Sequence, residues 1–446
     1  MKYFKIQAGT FAAKNSIPAV FCALIAFQSA AGESLRENQI EIFINDAINK
    51  NLYIKSRESE SRASHHAAKN SSRTYPDPEI MIMKSRGEMN ETTLYSQPNY
   101  QHSRTNALEY RVTQPVPFPG KLTTEASVKK SDARISELKL SLEKNKTASE
   151  LLSMLIDLRR LEDQIAVTED FYNKIIVLSK VASSRYGSGG GSLSTVTSIK
   201  LRANEYRDRL ILLKGEKTSQ KINLDYFNDK EFSFSETDFD LYFKNLRAKI
   251  PSENELEKNS LELAVAEEMQ KRSKHEKNRS RLSFAPDIGV FAGYRKENMN
   301  NEYLMYGERK EEMYSMGITV KVPVWSSFAN VSDYKEKKEM KASADLARED
   351  YLKKIQYRYR ASSEMLKVYE ERMELINKVL IPQAALSMKS SRLAWETNKA
   401  DFSALLEGYD SLYRENMTAL EVRSKIRKET VFLSDLQNVI LKNASE

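Results

Sequence analysis

The 446-residue chain carries a formal charge of +8, with 30% charged and 40% hydrophobic residues but only 14 glycines and 11 prolines. That mixture favours long, solvated helices over a single thick globular core. Basic and acidic residues alternate throughout instead of gathering on one face, which argues against a nucleic-acid binder.

The first 31 residues read as a secretory signal peptide. Lys2, Lys5 and Lys14 form a basic start, residues 17–27 an apolar run, and Ser29, Ala30 and Ala31 a small-residue cleavage region. The run is shorter than the roughly 20 residues that span a bilayer. Its removal takes the charge to +5 and removes Cys22, the chain's one cysteine, so the mature chain is expected to hold no disulfide. Val20 and Phe21 before Cys22 are unlike a lipoprotein cleavage box. Residues 35–68 follow with Ile40, Phe43, Ile44, Ala47, Ile48 and Leu52 at helical spacing. His65 and His66 near the end of this helix project in different directions and read as surface, since the sequence supplies no further metal ligands.

Pro76 and Pro78 stop that helix, and Ile80, Met81, Ile82 and Met83 form a short strand. After a polar stretch, 84–104, the residues Leu108, Tyr110 and Val112 alternate with Glu109, Arg111 and Thr113 until Pro115, Pro117 and Pro119 end a second strand. Residues 121–185 contain neither glycine nor proline, and as a helix would be about 97 Å long. Inside it Ile135, Leu138, Leu142, Leu152 and Ile156 form a coiled-coil-like seam, with Asn145 and Ser149 as a polar gap. Four of the fourteen glycines sit at 187–191, where the chain is expected to reverse before a return helix through Leu193, Val196, Ile199, Tyr206, Leu210 and Leu213. An aromatic-rich connector, 228–252, contains Phe232, Phe234, Phe239, Tyr242 and Phe243.

The pattern then recurs. A helix over 253–282 meets Pro286, strands near 286–294 and 313–323 flank a charged loop, Pro323 closes the second, and a long helix, kinked at Pro382, leads to a second tip. Pro78 and Pro286, Pro117 and Pro323, and Tyr186 and Trp395 are separated by nearly equal intervals. The chain is therefore read as two structural repeats, 32–227 and 253–446, with strands near 78–84 and 106–117 in the first and helical tips near 186–193 and 395–402. The fold class is mainly α with a four-strand β contribution. Those strands suit either a periplasmic sheet with one solvated face or part of an outer-membrane barrel. Four strands cannot close a barrel, so the membrane reading requires oligomerisation, and three copies give twelve.

Several motifs carry a resemblance. The Pro76-Asp77-Pro78-Glu79-Ile80 entry, the run Gln114-Pro115-Val116-Pro117-Phe118-Pro119-Gly120-Lys121, Pro286-Asp287-Ile288, Val320-Lys321-Val322-Pro323-Val324-Trp325, and Phe402-Ser403-Ala404-Leu405-Leu406-Glu407 after the second tip are similar to the TolC-like outer-membrane factor family. The Pro-Phe-Pro-Gly-Lys form resembles its heavy-metal cation efflux branch. The resemblance implies a homotrimer with a 12-stranded β-barrel in outer-membrane lipid, standing on a long α-helical barrel that crosses the periplasm. Its tips would meet a periplasmic adaptor protein bound to an inner-membrane pump, and the assembly would serve efflux or type I secretion. Asn398 stands where the family usually has glycine, and Trp395 where it usually has tyrosine.

No catalytic constellation is present: no Walker loop, no Gly-x-Ser-x-Gly, and no strand before the Gly187–Gly191 run or Gly-Lys-Ser/Thr after it. A non-enzyme without cofactor or metal is expected. Tyr186, Gly187, Leu193, Trp395, Asn398 and Phe402 are the expected adaptor contacts, with the glycine-rich tip the more flexible of the two. Asp401, Glu407 and Asp410 either face the lumen as acidic rings forming a gate or solvate the outer face. The competing class is a secreted or periplasmic coiled-coil structural protein, which accounts for the seam and the signal but not for two proline-bounded strand pairs at matching offsets.

Overall fold

The computed structural model describes residues 39–91, 101–227, 236–301, 309–397 and 399–441. The proposed signal peptide, Phe232, Phe234 and Asn398 lie outside them. Two helices open the described chain, α1 (Gln39–Lys50) and α2 (Leu52–Ser71). The expected single helix is divided at Asn51, whose side chain accepts hydrogen bonds from the Tyr53 and Ile54 amides and so caps α2. His65 and His66 are exposed on α2.

Strands β1 (Glu79–Glu91), β2 (Gln101–Val116), β3 (Asp287–Asn301) and β4 (Arg309–Lys321) form one antiparallel sheet in the order β1-β2-β3-β4. The central β2–β3 seam joins the two hairpins, which lie far apart in the sequence. The polar stretch 84–104, expected to be a connection, is largely strand. The register runs without a break from Glu79↔Thr113 to Glu91↔Gln101. Ladder hydrogen bonds need no apolar side chains, so the hairpin outlasts the hydrophobic alternation that marks it in sequence.

Between the strand pairs run α3 (Lys121–Gly187), α4 (Leu193–Asp225), α5 (Glu236–Ala248) and α6 (Leu261–Leu282). Ser260 caps α6 through its hydroxyl, which divides the helix expected from 253 onward. After β4 come α7 (Ser326–Leu375), a π-helical segment Ile376–Leu380, α8 (Ile381–Glu396) and α9 (Phe402–Leu436). The effect expected of Pro382 takes the form of this π-turn: proline offers no amide hydrogen and crowds the carbonyl four residues back, and the wider turn upstream relieves both.

The two largest apolar clusters among the described residues lie at different levels along the long helices. One cluster binds α1, α2, α3, α5 and the end of α9 through Ile40, Ile44, Leu151, Leu152, Ile156, Phe239, Tyr242, Phe243 and Val431. The connector aromatics thus lie in a core, and Arg427 reinforces them, pairing with Asp240 while its guanidinium lies over the Phe239 and Phe243 rings. The second cluster lies toward the tips, between α3, α4, α8 and α9.

The polar gap in the α3 seam is a buried contact. Asn145 is almost fully buried, and its amide donates to the Asp435 backbone oxygen at 3.0 Å and to the Asp435 carboxylate. Burial in the last turn of α9, with Glu262 and Glu150 nearby and Lys146 and Asn145 opposing them, pushes Asp435 up to about 6. The ionised form is therefore disfavoured in the fold. That penalty is complete above about pH 6 and vanishes as pH falls below the ordinary aspartate value near 4. Asp435→Asn is expected to raise stability at pH 8 by up to about 3 kcal/mol and to change little at pH 4, as thermal unfolding at both pH values would measure.

Candidate functional site

Because side chains alternate across a strand, each sheet face can be read from the register. On one face Ile80, Ile82, Tyr110, Val112, Ile288, Val290, Tyr314, Met316, Ile318 and Val320 all stand exposed. Ile82, Tyr110, Tyr294 and Tyr314 fall in a single row, with the last two rings 5.2 Å apart. In the next row Leu108 stands among Lys84, Lys296 and Glu312, and the row after it is wholly polar, with Arg86, Asn106, Asn298 and Lys310. At the opposite end the exposed Val322, Val324, Trp325 and Phe328 close the band. An apolar belt between a tyrosine row and a tryptophan is the pattern of a strand surface facing lipid.

The other face is mixed, with Met81, Met83 and Met313 exposed among charged, hydroxyl-bearing and small residues. Arg111 pairs with Glu109 at 2.6 Å and lies 5.1 Å over the Phe291 ring, and Arg295 pairs with Glu297 at 3.1 Å. A Cβ on Gly317 would stand 2.8 Å from that ring, so glycine is required there by close approach.

At the far end of the helices the two tips share a closure. In the first, Gly189 has φ +80°, the Gly190 amide donates to the Arg185 carbonyl and the Gly189 amide to that of Tyr186, which together make a Schellman cap. In the second, the Lys399 amide donates to the Ala394 carbonyl across the same interval. The glycine run thus closes α3 with a hydrogen-bonded cap. Gly189→Ala is expected to cost about 1 kcal/mol through left-handed strain. Gly190→Ala, whose Cβ meets no atom closer than 3.8 Å, should be neutral. Hydrogen exchange at the residue-190 amide distinguishes the two.

The tip residues divide. Tyr186 (47% exposed), Leu193 (60%) and Gly187 stand at the surface, whereas Trp395 (8%) and Phe402 (7%) turn inward. Their rings pack edge to face at 5.6 Å, and the Arg185 guanidinium from the first tip lies 4.3 Å over the Trp395 ring. The sequence shows that these rings are at a tip but not which way they point.

The three acids also separate. Asp401 and Glu407 are exposed, while half-buried Asp410 is engaged across helices. Its carboxylate lies 2.8 Å from the Arg202 guanidinium and accepts a 3.2 Å hydrogen bond from the Tyr206 hydroxyl, tying α9 to α4. Burial raises Asp410, with Arg202 and Tyr206 opposing the shift. Beneath it Phe171, Tyr206 and Tyr413 pack ring on ring, and the Thr168 and Tyr413 hydroxyls are 3.0 Å apart.

No family model matches the sequence, and no curated protein does either. Among solved structures, that of CusC, described in terms of folding and transmembrane channel formation, aligns with TM-score 0.73 at 10% identity over 90% of this chain and 92% of its own. The outer membrane protein VceC of Vibrio cholerae aligns with TM-score 0.68 at 13% identity over 90% and 96%. The open state of the Neisseria gonorrhoeae MtrE outer membrane channel aligns with TM-score 0.65 at 12% identity over 90% and 89%. This is the TolC-like outer-membrane channel fold.

Within the TolC-like fold, the proline-bounded motifs acquire a structural role. Lys121, at the start of α3, donates to the Asp287 carboxylate at 2.7 Å and to the Ala285 carbonyl at 2.9 Å, while the Phe118 amide donates to Asp287 at 3.3 Å. One carboxylate at the head of β3 therefore locks the corner between β2 and α3 onto the start of β3. Among the described residues no group of His, Cys, Asp and Glu could hold a metal ion, and no helix is long and apolar enough to cross a membrane. Nothing local marks Arg185 or Arg202, and Tyr206 reads in the sequence only as part of the apolar stripe of the return helix, because the partners of all three lie some two hundred residues away.

Proposed function

We propose that this chain is the outer-membrane channel of a tripartite export system, trimerising so that three four-stranded sheets close one 12-stranded barrel. The observation that carries this reading is the sheet itself: a continuous apolar belt on one face, charged pairs and small residues among methionines on the other, and two open edges. In lipid, every edge amide and carbonyl needs a partner, and a ring of three sheets supplies them all. The long helices then extend the conduit through the periplasm to the tips. No chemistry is performed; substrates delivered by an inner-membrane pump pass through.

At the tips, Tyr186, Gly187 and Leu193 form the surface that meets a periplasmic adaptor, while Trp395 and Phe402 hold the second tip in shape. Asp401 and Glu407 are repeated by threefold symmetry as acidic rings that favour cations, and the Asp410 contacts with Arg202 and Tyr206 keep the tip helices together. Fractionation tests the reading: a heat-modifiable trimer in the outer membrane is expected. A soluble periplasmic monomer would instead fit a coiled-coil structural protein.

A further inference from the structure

The two rows past the tyrosines carry charge of mostly one sign. They hold four cations, Lys84, Arg86, Lys296 and Lys310, and one acid, Glu312. All five side chains stand exposed. Glu312 lies 3.6 Å from Lys296, which leaves Lys84, Arg86 and Lys310 without an acidic partner among the described residues. Lys84 and Arg86, two residues apart on one strand, are about 7 Å from each other along it. Lys296 and Lys310 are diagonal neighbours on adjacent strands, about 7–8 Å apart.

Ordinary solvation of a polar surface does not account for this bias. The row between these two on the other face, with Ser85, Ala107, Glu297 and Glu311, holds two acids and no base. At the opposite end of the apolar belt, the outward row through Gln114, Val290 and Ile318 holds no charge, nor does the next, through Val116, Ile288 and Val320. Among the described residues of the sheet, the cationic excess is thus confined to one face and to one end of the belt. That end is the one away from the helices.

The height of the cations decides what they meet. Strands tilted by about 35–45° gain about 5 Å of height for every two residues. The headgroup layer beyond the hydrocarbon is about 5–8 Å deep on each side. The first row falls inside that layer. Side chains of the second row reach back into it, with their stems against the apolar belt and their charged heads among polar groups.

Resting on the outer-membrane reading above, which sets this end toward the cell exterior, we propose that Lys84, Arg86, Lys296 and Lys310 form a binding band for the phosphate groups of outer-leaflet glycolipid. Arg86 suits two phosphate oxygens at once, and the lysines add compact point charges within reach of the same group. Basic residues just outside the hydrocarbon attract anionic lipid in this way. The uncharged rows at the other end of the belt have no such attraction, so phosphorylated lipid gathers around the outward half alone.

Lipid retention by the purified, unheated trimer in native mass spectrometry tests the band. The probes are lipid A bearing its phosphates and the same glycolipid with the phosphates removed. The unaltered trimer is expected to retain the phosphorylated form at least about tenfold better, and the preference should shrink when salt is raised during equilibration. The triple variant Lys84→Gln, Arg86→Gln and Lys310→Gln should still form trimers but lose the preference. Removing as many exposed cations from α4 and α7, with Lys200→Gln, Lys335→Gln and Lys338→Gln, should leave it intact. Equal retention of the two lipids by the unaltered trimer, or an undiminished preference in the first variant, overturns the band and leaves the channel standing. Equal loss from both variants overturns it too, since net charge alone would then be read. Full competition by inorganic phosphate would mean that the cations take the free anion and not the lipid. A chain that yields no outer-membrane trimer overturns the channel reading, and the band falls with it.

Discussion

Ile318→Arg is expected to abolish the heat-modifiable trimer in the outer membrane. Ile318 stands near the middle of the exposed belt between Tyr314 and Val324. An arginine on the lipid face at mid-depth costs about 2–4 kcal/mol per site, and a trimer carries it three times. The control lies on the opposite face. Met83 pairs in register with Glu109, so Met83→Lys adds a charge where polar groups already stand and should leave assembly intact. Trimer yield in the membrane fraction, compared between the two variants, reads the orientation of the sheet directly. Trimer from Ile318→Arg as abundant as from Met83→Lys would mean that the Ile318 face does not meet lipid.

Untying Asp410 is expected to open the tip end of the channel. Asp410→Ala removes at once the Arg202 ion pair and the Tyr206 hydrogen bond that join α9 to α4. Hydrogen bonds to charged groups contribute about 1.5–3 kcal/mol each, enough for roughly a tenfold to hundredfold rise in the open-to-closed ratio of single channels in a lipid bilayer. Arg202→Ala should act in the same direction, and the double variant should fall short of the sum because both remove one contact. Acidification has the same sign. Burial raises the Asp410 carboxyl above its ordinary value, so it takes up a proton earlier than an exposed aspartate as pH falls, and the Arg202 attraction is lost with its charge. Opening should therefore rise as pH falls, and Asp410→Asn should remove this part of the dependence.

Much of the fold is legible in the sequence because it is written in local chemistry. Pro78, Pro117, Pro286 and Pro323 bound the strands, the glycines at 187–191 mark a reversal, and the alternation around Tyr110 and Ile318 declares two-faced strands. Where function depends on pairings distant in sequence, the signal fades. Asn145 reads as a flaw in the α3 seam, yet its amide helps fasten α3 to the end of α9. Asp410 reads as one acid among three, but its partners on α4 set it apart from Asp401 and Glu407. Trp395 and Phe402 read as exposed contacts because aromatic residues at a turn give no direction; in the folded chain they are the small core of the second tip, covered by Arg185. The outer halves of the strands escape notice because their pairing is carried by the backbone alone.

Conductance tests the central claim most directly. The purified, unheated protein added to a planar lipid bilayer is expected to give discrete, uniform conductance steps, and heating it to the monomer beforehand should abolish them. Unheated protein that stays soluble and monomeric and never produces a step would contradict the channel.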